Sequence, residues 1–437
     1  MTLHDEPRSL WSATTPEAAD DPILHEHLEC DVAIVGAGFT GLRAALRLAE
    51  AGRSVVVLDR HAVGWGASGR NGGQVNPLPP FNSPAALRGN LGEHHFKPFV
   101  NASLGSADAL FAFIAERGID CGARQNGWLR VDHSTGAAIA SRANTEAWNA
   151  LGADMRRLDR DQILELTGTK AYSSGVLTTA GGAVNPLALV RGIAALVRNA
   201  GGKIFSGSGV AALQEEAGRW ALKTSGGEVR AQQVVLATNG YSDGVRPDVR
   251  RSILPLVSVQ IATDTLAEGV TSAVLPRGHT ISDTRRVIMY ARREPAGQMV
   301  FGGHGVLRRD GTLAGFKWLE RDAVRVFPQL EGVNWRYRWG GRIALTDDHV
   351  PHLHEPAPGL LAGLGYNGRG VAMSNLMGTV LADRVLGADA ATLPLPITTV
   401  RAYPLRTMAG VAMGPLVGFM KWQDAREVAA ATRELAR

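Results

Sequence analysis

The sequence contains little cysteine, and this limits the kinds of site that it can build. Among 437 residues only Cys30 and Cys121 carry a thiol. Two cysteines by themselves provide neither a disulfide framework nor a four-ligand zinc site. We therefore expect a reducing, cytoplasmic setting.

Long apolar runs and a secretion signal are also missing. No stretch of about 18 uninterrupted apolar residues occurs, so we expect no transmembrane segment. The N-terminus carries early acidic residues and lacks the apolar segment of a secretory signal. Hydrophobic residues make up 45% and charged residues 20% of the chain, which excludes a disordered or fibrous protein. The length favours a soluble globular protein of two or three domain equivalents.

Lysine is scarce, so the positive charge resides mainly on arginine. Only 6 of the 46 basic residues are lysine, and the net charge is +5. The stretch 246–342 carries 16 basic and 9 acidic residues. Two interpretations stay open, namely a solvated basic face or attraction of an anionic substrate or acidic partner. We expect no nucleic-acid partner, because the sequence shows no basic recognition helix and no aromatic-basic RNA motif.

A predicted βαβ unit near the N-terminus carries a dinucleotide-binding fingerprint. The apolar strand Asp31–Val35 precedes Gly36-Ala37-Gly38-Phe39-Thr40-Gly41, and a helix is predicted from about Gly41 to Ala51. A second strand, Ser54–Leu58, ends at Asp59, which is placed to bind a ribose. The three glycines permit, in order, a tight turn, close approach of backbone to a pyrophosphate, and close helix–strand packing. This fingerprint does not distinguish NAD from FAD.

Three further segments separate these alternatives. The glycine-dense stretch 64–74 allows backbone to pass close to an extended flat cofactor, and its Arg70 is placed to face a phosphate. The stretch 234–240 predicts a buried strand that leads into a polar turn. The stretch 363–371 predicts a glycine-rich turn before a helix near Val371–Leu386. Stretches this far apart in the chain are expected to converge on one extended cofactor.

The other patterns predict elements on both sides of these segments. They are an extended surface arm over 1–29, mainly helical structure over 84–165 with a strand at Trp128–Val131, a helix from Asn185-Pro186 to Asn199, strands at Lys203–Ser206, Trp220–Thr224 and Gln233–Ala237, a hairpin of Val287–Arg292 and Gln298–Gly302, and a helix over Arg321–Phe327. The apolar tail Met408–Met420 is interpreted as a packed C-terminal segment or an interface element, with a membrane-surface anchor as the alternative.

The motifs together resemble the D-amino-acid oxidase/glycine oxidase superfamily of FAD-dependent oxidoreductases. The similarity is greatest to the gamma-glutamylputrescine oxidase branch. It covers nearly the whole chain, through the arm with Trp11 and the motifs GAGFTGL, VGWGASGRNGGQ, GGAVNPLAL, ATNGY, FGG, FPQL and GYNGRGV.

The resemblance implies an α/β fold with two domains. One is a discontinuous, Rossmann-like FAD-binding domain, and the other is an α+β substrate domain built on an antiparallel sheet. After an N-terminal arm over 1–29, the FAD domain would comprise 30–83, 166–245 and 343–437, and the substrate domain 84–165 and 246–342.

The resemblance also implies a reaction. A hydride would pass from a C–H beside an amine nitrogen to flavin N5, leaving an imine that water hydrolyses, and oxygen or another acceptor would take the electrons. The substrate would be a carboxylate-bearing amine such as a gamma-glutamylated polyamine. The alternatives are a D-amino-acid or glycine/sarcosine-type oxidase or dehydrogenase, or a flavin module of a tRNA-modifying or electron-transfer assembly. FAD would be noncovalent, since no cysteine follows Cys121. The oligomeric state stays open.

Four residues are candidates for the catalytic pocket. Arg342 is placed either to bind a substrate carboxylate or to form an ion pair with Asp347 or Asp348. Tyr290 either faces the flavin or packs in the core, and His304 either contacts substrate or is structural. Tyr366 is expected near the flavin ring or pocket, and Trp65 is a further residue that would flank the ring.

The expected cofactor contacts lie in the four glycine-bearing or polar segments, at the end of the second strand and at Val210. They are Gly36, Gly38, Phe39, Thr40, Gly41, Asp59, Arg60, Gly66, Ala67, Ser68, Arg70, Asn71, Gly72, Gly73, Gln74, Val210, Thr238, Asn239, Gly240, Gly365, Asn367, Gly368, Arg369, Gly370 and Val371. We expect no metal, because His352 and His354 lie in a loop-like region without a cysteine partner.

Overall fold

A computed structural model describes residues 2, 8–404 and 406–435 of the chain. Among these residues the helices are α1 (Leu10–Thr14), α2 (Phe39–Glu50), α3 (Ala67–Arg70), α4 (Pro84–Glu116), α5 (Thr135–Asn149), α6 (Arg160–Thr167), α7 (Pro186–Asn199), α8 (Pro247–Arg251), α9 (Glu268–Thr271), α10 (Phe316–Val326), α11 (Gly370–Val385) and α12 (Arg406–Leu435).

The strands form two large sheets and one small ribbon. They are β1 (His27–Val35), β2 (Val55–Leu58), β3 (Gln74–Val75), β4 (Trp128–Val131), β5 (Met155–Leu158), β6 (Gly175–Thr178), β7 (Gly182–Ala183), β8 (Lys203–Phe205), β9 (Ala212–Glu216), β10 (Arg219–Lys223), β11 (Glu228–Leu236), β12 (Leu254–Ala262), β13 (Thr280–Asp283), β14 (Met289–Arg293), β15 (Met299–Leu307), β16 (Leu313–Ala314), β17 (Tyr337–Leu345), β18 (His352–Ala357), β19 (Leu360–Leu364) and β20 (Ile397–Thr398).

The first sheet has the Rossmann-like arrangement that the fingerprint predicts. Its main order is β20-β18-β19-β11-β1-β2-β8, and β1 pairs in parallel with both β2 and β11. All four residues of β2 are buried, as expected where helices cover both faces of a parallel sheet. β19 also runs parallel to β11. The carboxyl ends of β1, β2, β11 and β19 therefore meet at one edge, which is where open α/β sheets bind their ligands.

The second sheet is mostly antiparallel. Its order is β17-β12-β15-β14-β13-β4-β6-β5, with β16 beside β15. The predicted hairpin is present as β14 and β15, and the Glu294 N–H donates to the carbonyl of Gln298 across its loop. One pair, β4 with β13, is parallel. β6 also belongs to this sheet, although the resemblance assigned 166–245 to the FAD domain, so the chain returns to the first sheet later than expected.

The helices that cover the first sheet begin and end close to the residues that the sequence predicts. α7 spans the predicted residues, and the Asn185 side chain accepts hydrogen bonds from the N–H groups of Leu187 and Ala188. α2 begins at Phe39, two residues before the predicted start, because Gly38 of the fingerprint is its N-cap. The strand β9 was missed; it is a half-exposed edge strand whose residues show no clear apolar alternation.

The prediction that residues 1–29 lie over the surface as an extended arm is wrong for the segment around Trp11. Ser9 caps the short helix α1, and the Trp11 side chain is buried. Its indole Nε1 donates to the carbonyl oxygen of Asn71 at 2.9 Å, and its ring meets that of Trp339 edge to face at 5.7 Å. The arm therefore packs beneath the glycine-dense loop 64–74 instead of only covering it.

The segment α4 is interrupted at Gly92, whose φ of +70° is not helical, so that two helical stretches meet there. By length and composition alone it could cross a membrane, with a mean hydropathy of 1.3 over its most apolar window. Half of that window is buried inside the molecule, and Phe99, Ala107 and Leu110 belong to the hydrophobic core. A core helix passes the same composition test, and the packing places α4 in the core.

Helices α2 and α11 cross so closely that one added methyl group at the crossing should lower the stability of the protein. A Cβ at Gly378 would lie 2.6 Å from the carbonyl oxygen of Thr40 and the Cβ of Arg43. We expect Gly378→Ala to lower the free energy of unfolding by about 1–3 kcal/mol in denaturant titrations, because the helices must separate. Gly89→Ala is the matched control, since its Cβ meets open space within α4. This control should be neutral or stabilising by up to about 1 kcal/mol. Equal effects of the two substitutions would contradict the crossing.

Candidate active site

A cavity of about 910 Å³ lies between the carboxyl edge of the first sheet and the second sheet. This volume is within the range of sites that bind cofactors and small molecules. Val35, Leu58 and Leu236 bring the ends of β1, β2 and β11 to it. From the other side β12, β15 and β17 contribute residues that include Ser258, His304 and Arg342.

The fingerprint turn is tightly packed and requires glycine at two positions. Gly36 has a φ of +112°, and a Cβ there would lie 2.9 Å from the carbonyl oxygen of Ala237. A Cβ at Gly41 would lie 2.0 Å from the carbonyl oxygen of Gly36. The turn therefore presses against the end of β11 on one side and the start of α2 on the other.

The loop 64–74 closes directly onto this turn. The Phe39 N–H donates to Ser68 Oγ at 2.9 Å, and a Cβ at Gly38 would come within 2.8 Å of the same oxygen. The Asn71 amide donates to the carbonyls of Ala67 and Ser68 and accepts from the Gly73 N–H. The loop thus has a defined shape that depends on its own polar side chains.

The segment 363–371 joins the same cavity from the far end of the chain. The Gly365 N–H donates to Asn239 Oδ1 at 2.9 Å. The Tyr366 hydroxyl and Thr40 Oγ1 are 2.6 Å apart and buried, which links this segment to the fingerprint helix. Burial raises the pKa of the Tyr366 phenol, so it stays protonated and neutral. Glycine-bearing stretches more than 300 residues apart in sequence therefore converge on one cavity.

The acid at the end of β2 also faces this cavity. The Asp59 carboxylate accepts hydrogen bonds from the N–H groups of Ala37 at 2.7 Å and His61 at 2.9 Å. Burial raises its pKa, while these two hydrogen bonds oppose that shift. The carboxylate thus holds the fingerprint turn to the second strand of the βαβ unit.

Most predicted cofactor residues line the cavity. Three do not, namely Gly41, Gly240 and Gly365. Gly41 and Gly240 pack against neighbouring backbone, and Gly365 packs against the Thr346 side chain. The lining residues are Gly36, Gly38, Phe39, Thr40, Asp59, Arg60, Gly66, Ala67, Ser68, Arg70, Asn71, Gly72, Gly73, Gln74, Val210, Thr238, Asn239, Asn367, Gly368, Arg369, Gly370 and Val371.

The residues present fit FAD. Two long helices begin at the cavity, α2 after Gly38 and α11 at Gly370, and neither N-terminus has a side-chain cap. Helix N-termini offer backbone N–H groups and partial positive charge, which suit a pyrophosphate and an electron-rich ring. The turn itself is packed so closely against Ala237 and Ser68 that neither Gly36 nor Gly38 has room for a Cβ, which fixes the backbone that faces the cavity.

Arg70 is buried and is held by backbone groups. Its Nε donates to the carbonyl of Trp65 at 2.6 Å, and an Nη lies 3.4 Å from the carbonyl of Gly340. Its guanidinium also lies 4.2 Å from the centre of the Trp65 ring. These contacts tie the loop 64–74 to β17. Trp65 itself lines the cavity and stacks on His61 at 3.7 Å.

Tyr290 sits in a polar cluster on the second sheet. Its hydroxyl accepts a hydrogen bond from Gln260 Nε2 at 2.8 Å and lies 3.1 Å from Ser258 Oγ. All three residues line the cavity. Burial raises the pKa of Tyr290, and its two hydrogen-bond partners oppose that shift. The phenol is thus a neutral, fixed group in the cavity wall.

His304 also lines the cavity, on the strand that pairs with β12. Burial lowers its pKa, and the charge of Lys421 lowers it further. The imidazole is therefore neutral at neutral pH.

Arg342 lines the cavity without an ion-pair partner in the part of the chain that the structure describes. The guanidinium lies 5.9 Å from the centre of the Tyr241 ring. The predicted alternative, an ion pair with Asp347 or Asp348, is absent there; Asp348 instead contacts His352 at 3.0 Å. The cavity wall therefore holds a positive charge that no described carboxylate neutralises.

A second arginine in the cavity wall also has no ion-pair partner among the described residues. Arg369 lies 4.2 Å from the centre of the Trp128 ring, and burial together with nearby Arg130 lowers its pKa to about 9. One of its Nη atoms is buried and has no hydrogen-bond partner among the described residues. The cavity is thus suited to an anionic group of a ligand.

Several lining residues were not predicted from the sequence. Ser258 and Gln260 alternate on β12, and this period-two polar pattern inside LPLVSVQIA was an available signal. Tyr241 follows the polar turn at 239–240, and its hydroxyl accepts from the Arg342 N–H at 3.0 Å. Met413, Leu416, Val417 and Met420 of α12 also line the cavity. The apolar pattern of 408–420 predicted a packed or interface segment, but nothing in it pointed to this site.

His352 and His354 lie on the strand β18, so the prediction of a loop there is wrong. His352 lies close to Asp347 and Asp348, with potential ligand atoms within 4.8 Å of one another. A similar group is formed by His133 with two acids of α12. Neither group was predicted from the sequence, and hydrogen bonds within each group account for its close contacts.

Comparison with known proteins agrees with the geometry. The family model described as "DAO: FAD dependent oxidoreductase" matches residues 31–384. A probable oxidoreductase OrdL of Haemophilus influenzae is 31% identical over 84% of this chain and 85% of its own length. Gamma-glutamylputrescine oxidoreductase of Escherichia coli is 29% identical over 89% of this chain and 90% of its own. The crystal structure of glycine oxidase from Geobacillus kaustophilus superposes with a TM-score of 0.73 at 21% identity, covering 85% of this chain and 99% of that one.

Two glycines that flank α2, Gly36 before it and Gly52 after it, provide a matched test of the turn that would hold the cofactor. Gly36 and Gly52 both have positive φ, +112° and +79°, but only a Cβ at Gly36 meets backbone. We expect Gly36→Ala to be purified with little flavin, measured by visible absorbance per protein. Gly52→Ala should retain its flavin at a stability cost of about 1 kcal/mol. Far-ultraviolet circular dichroism establishes that both variants fold, and full flavin content in Gly36→Ala would contradict this role of the turn.

Proposed function

The chain belongs to the DAO family of FAD-dependent oxidoreductases, and on that premise we propose that it oxidises an amine bearing a distant carboxylate, such as a gamma-glutamylated polyamine. The positive charge of Arg342, which no described carboxylate neutralises within the cavity, is the observation that carries this proposal. The relative named gamma-glutamylputrescine oxidoreductase supports the same substrate class.

FAD supplies the hydride acceptor when it is bound. The protein's own residues have the task of binding and orienting the amine and of excluding water. Removal of a hydride from the C–H beside a neutral nitrogen leaves an iminium ion, which gives the imine when it releases a proton to solvent. Water converts the imine to a carbonyl compound and releases ammonia or an amine. The acceptor that takes the electrons onward is oxygen or another small molecule, and we propose a cytoplasmic setting.

The cavity suits a substrate that reacts as a neutral amine. Burial disfavours the ammonium form of a bound amine, because a cation loses hydration there. The neighbouring cations Arg342 and Arg369 act in the same direction. His304 and Tyr290 are both uncharged, so neither supplies a negative charge that would stabilise the ammonium form.

An alternative is oxidation of an alpha-amino acid, with Arg342 gripping the alpha-carboxylate. The likeness of the fold to glycine oxidase favours this candidate. The two proposals differ in how far the carboxylate lies from the reacting carbon, and kinetics can distinguish them.

Substitution of Arg342 tests the carboxylate contact. We expect Arg342→Ala to raise KM for gamma-glutamylputrescine about 10- to 100-fold, the equivalent of a lost hydrogen bond to a charged group. Free putrescine, which lacks the carboxylate, should be unaffected. Hydrogen peroxide release and anaerobic flavin bleaching provide the measurements.

Arg338→Ala is the control for that substitution, since Arg338 lies on the same strand but pairs with Glu320 at the surface. An unchanged KM for gamma-glutamylputrescine in Arg342→Ala, together with a large rise for glycine or a D-amino acid, would favour the alternative. Failure of all these compounds to reduce the flavin anaerobically would reject both proposals.

The pH profile should report the substrate amine and not His304. The pKa of His304 lies below its usual value of 6.5, so the imidazole is uncharged above that pH and gains a proton only in more acidic solution. We expect kcat/KM to rise between pH 7 and 10 as the substrate loses its proton. His304→Asn should leave the midpoint of this rise unchanged, and a shift of more than about one unit would assign the limb to the histidine.

A further inference from the structure

The C-terminal helix α12 contributes a wall to the cavity, although its sequence lies outside the matched family region. The family model ends at residue 384, and α12 begins at Arg406. Met413, Val417 and Met420 of this helix line the same cavity as Tyr290 and His304. A contribution from outside the shared region is a natural source of differences in substrate choice between members of one family.

The inward side of α12 has two chemically different parts. Positions 413, 417, 420, 424 and 427 recur at steps of four and three, which places them on one side of a helix. The first three carry the apolar side chains Met413, Val417 and Met420. The last two are Asp424 and Glu427. The apolar part faces the cavity, and the acidic part faces the second sheet.

The acidic part anchors the helix. Asp424 accepts hydrogen bonds from the N–H groups of Arg286 and Val287 and from the Arg286 guanidinium at 2.8 Å. Glu427 contacts Arg286 and His133, each at 2.8 Å. The Arg286 guanidinium holds the pKa of Glu427 down at about 2, so this anchor is charged throughout the physiological range.

The preceding turn of the helix is linked to the part of the cavity wall that holds His304. Lys421 Nζ lies 4.5 Å from the centre of the Trp318 ring. The Trp318 indole in turn donates to the carbonyl oxygen of His304 at 3.0 Å. The anchor and this contact keep the neighbouring Met420 in place at the cavity wall.

We infer that Met413, Val417 and Met420 form the surface that receives the alkyl part of the amine and sets the amine length that the enzyme accepts. This inference rests on the proposed function and specifies its substrate as an amine with a flexible aliphatic chain. Methionine suits the task, because its unbranched and polarisable side chain adapts to apolar ligands of different shape. The paired Arg286 does not disturb this surface, since two carboxylates satisfy its charge.

The test uses the full-length holoenzyme and ligands of graded length. Straight-chain monocarboxylates from butanoate to octanoate are titrated while the flavin absorbance is monitored, so that binding is measured without turnover. In the wild type we expect Kd to fall about fourfold for each added methylene group, the effect of removing that group from water. Gamma-glutamyl derivatives of diamines with three to five methylene groups then provide the matching KM values under anaerobic flavin reduction.

Met420→Trp fills the proposed surface, and Ala425→Trp places the same bulk on the exposed side of α12. We expect Met420→Trp to raise Kd of the longest ligand about tenfold or more and to leave the shortest within about twofold. Ala425→Trp should keep the wild-type dependence on length. The inference would be overturned if Kd depended on ligand length in the same way in the wild type, Met420→Trp and Ala425→Trp. It would also be overturned if Kd did not depend on ligand length in the wild type.

The two measurements separate this inference from the proposed function. If no amine reduces the flavin, the proposed function fails. The carboxylate series still decides whether α12 makes binding depend on the length of the ligand's alkyl chain. If amines are oxidised and Met420→Trp changes nothing that depends on length, only the inference fails.

Glu427→Gln examines the anchor independently. Loss of its ion pair with Arg286 and a weaker hydrogen bond to His133 should speed amide hydrogen exchange in α12 and weaken the dependence of Kd on ligand length. Faster exchange with an unchanged length dependence would also count against the assigned surface. Unchanged exchange would contradict the anchoring role of Glu427.

Discussion

Close approach of backbone to backbone at the fingerprint turn is the constraint on which the site depends. The turn at Gly36 touches the end of β11 through Ala237, and Gly41 lets α2 begin directly behind it. These contacts have no room for a Cβ, so they bring the sheet edge, the first helix and the loop 64–74 within reach of one ligand. Asp59 holds the arrangement from the adjoining strand through two backbone N–H groups. The cavity is therefore shaped mainly by main chain, as suits a large flat cofactor.

Charge is distributed unevenly around that cavity. Many arginines of the chain are paired at the surface or across elements, as Arg286 is with Asp424 and Glu427. Arg342 and Arg369 are different, because they line the cavity and no described carboxylate pairs with them. Arg342 belongs to the basic stretch 246–342, so part of the excess positive charge of that stretch lies in the cavity wall. It favours an anionic group on the ligand, and desolvation favours the neutral form of an amine.

The two walls of the site have different origins. The cofactor side comes from the Rossmann-like sheet and lies within the matched family region. The opposite wall, to which we assign the substrate, combines the second sheet with α12, which lies beyond that region. Such a division allows one redox apparatus to be combined with different substrate surfaces. It is consistent with a family whose relatives include both glycine oxidases and a gamma-glutamylputrescine oxidoreductase.

The sequence by itself determined the βαβ unit, the bounds of α7 and the hairpin of β14 and β15, because each depends on contacts between residues close in the chain. Through local motifs and their resemblance to a family it also determined the cofactor. Only the tertiary structure decided that Trp11 is buried, that β6 joins the second sheet, and that Ser258, Gln260 and α12 line the cavity. These features depend on partners far away in sequence. Asp424 and Glu427, for example, acquire their role only because folding places Arg286 and His133 opposite them.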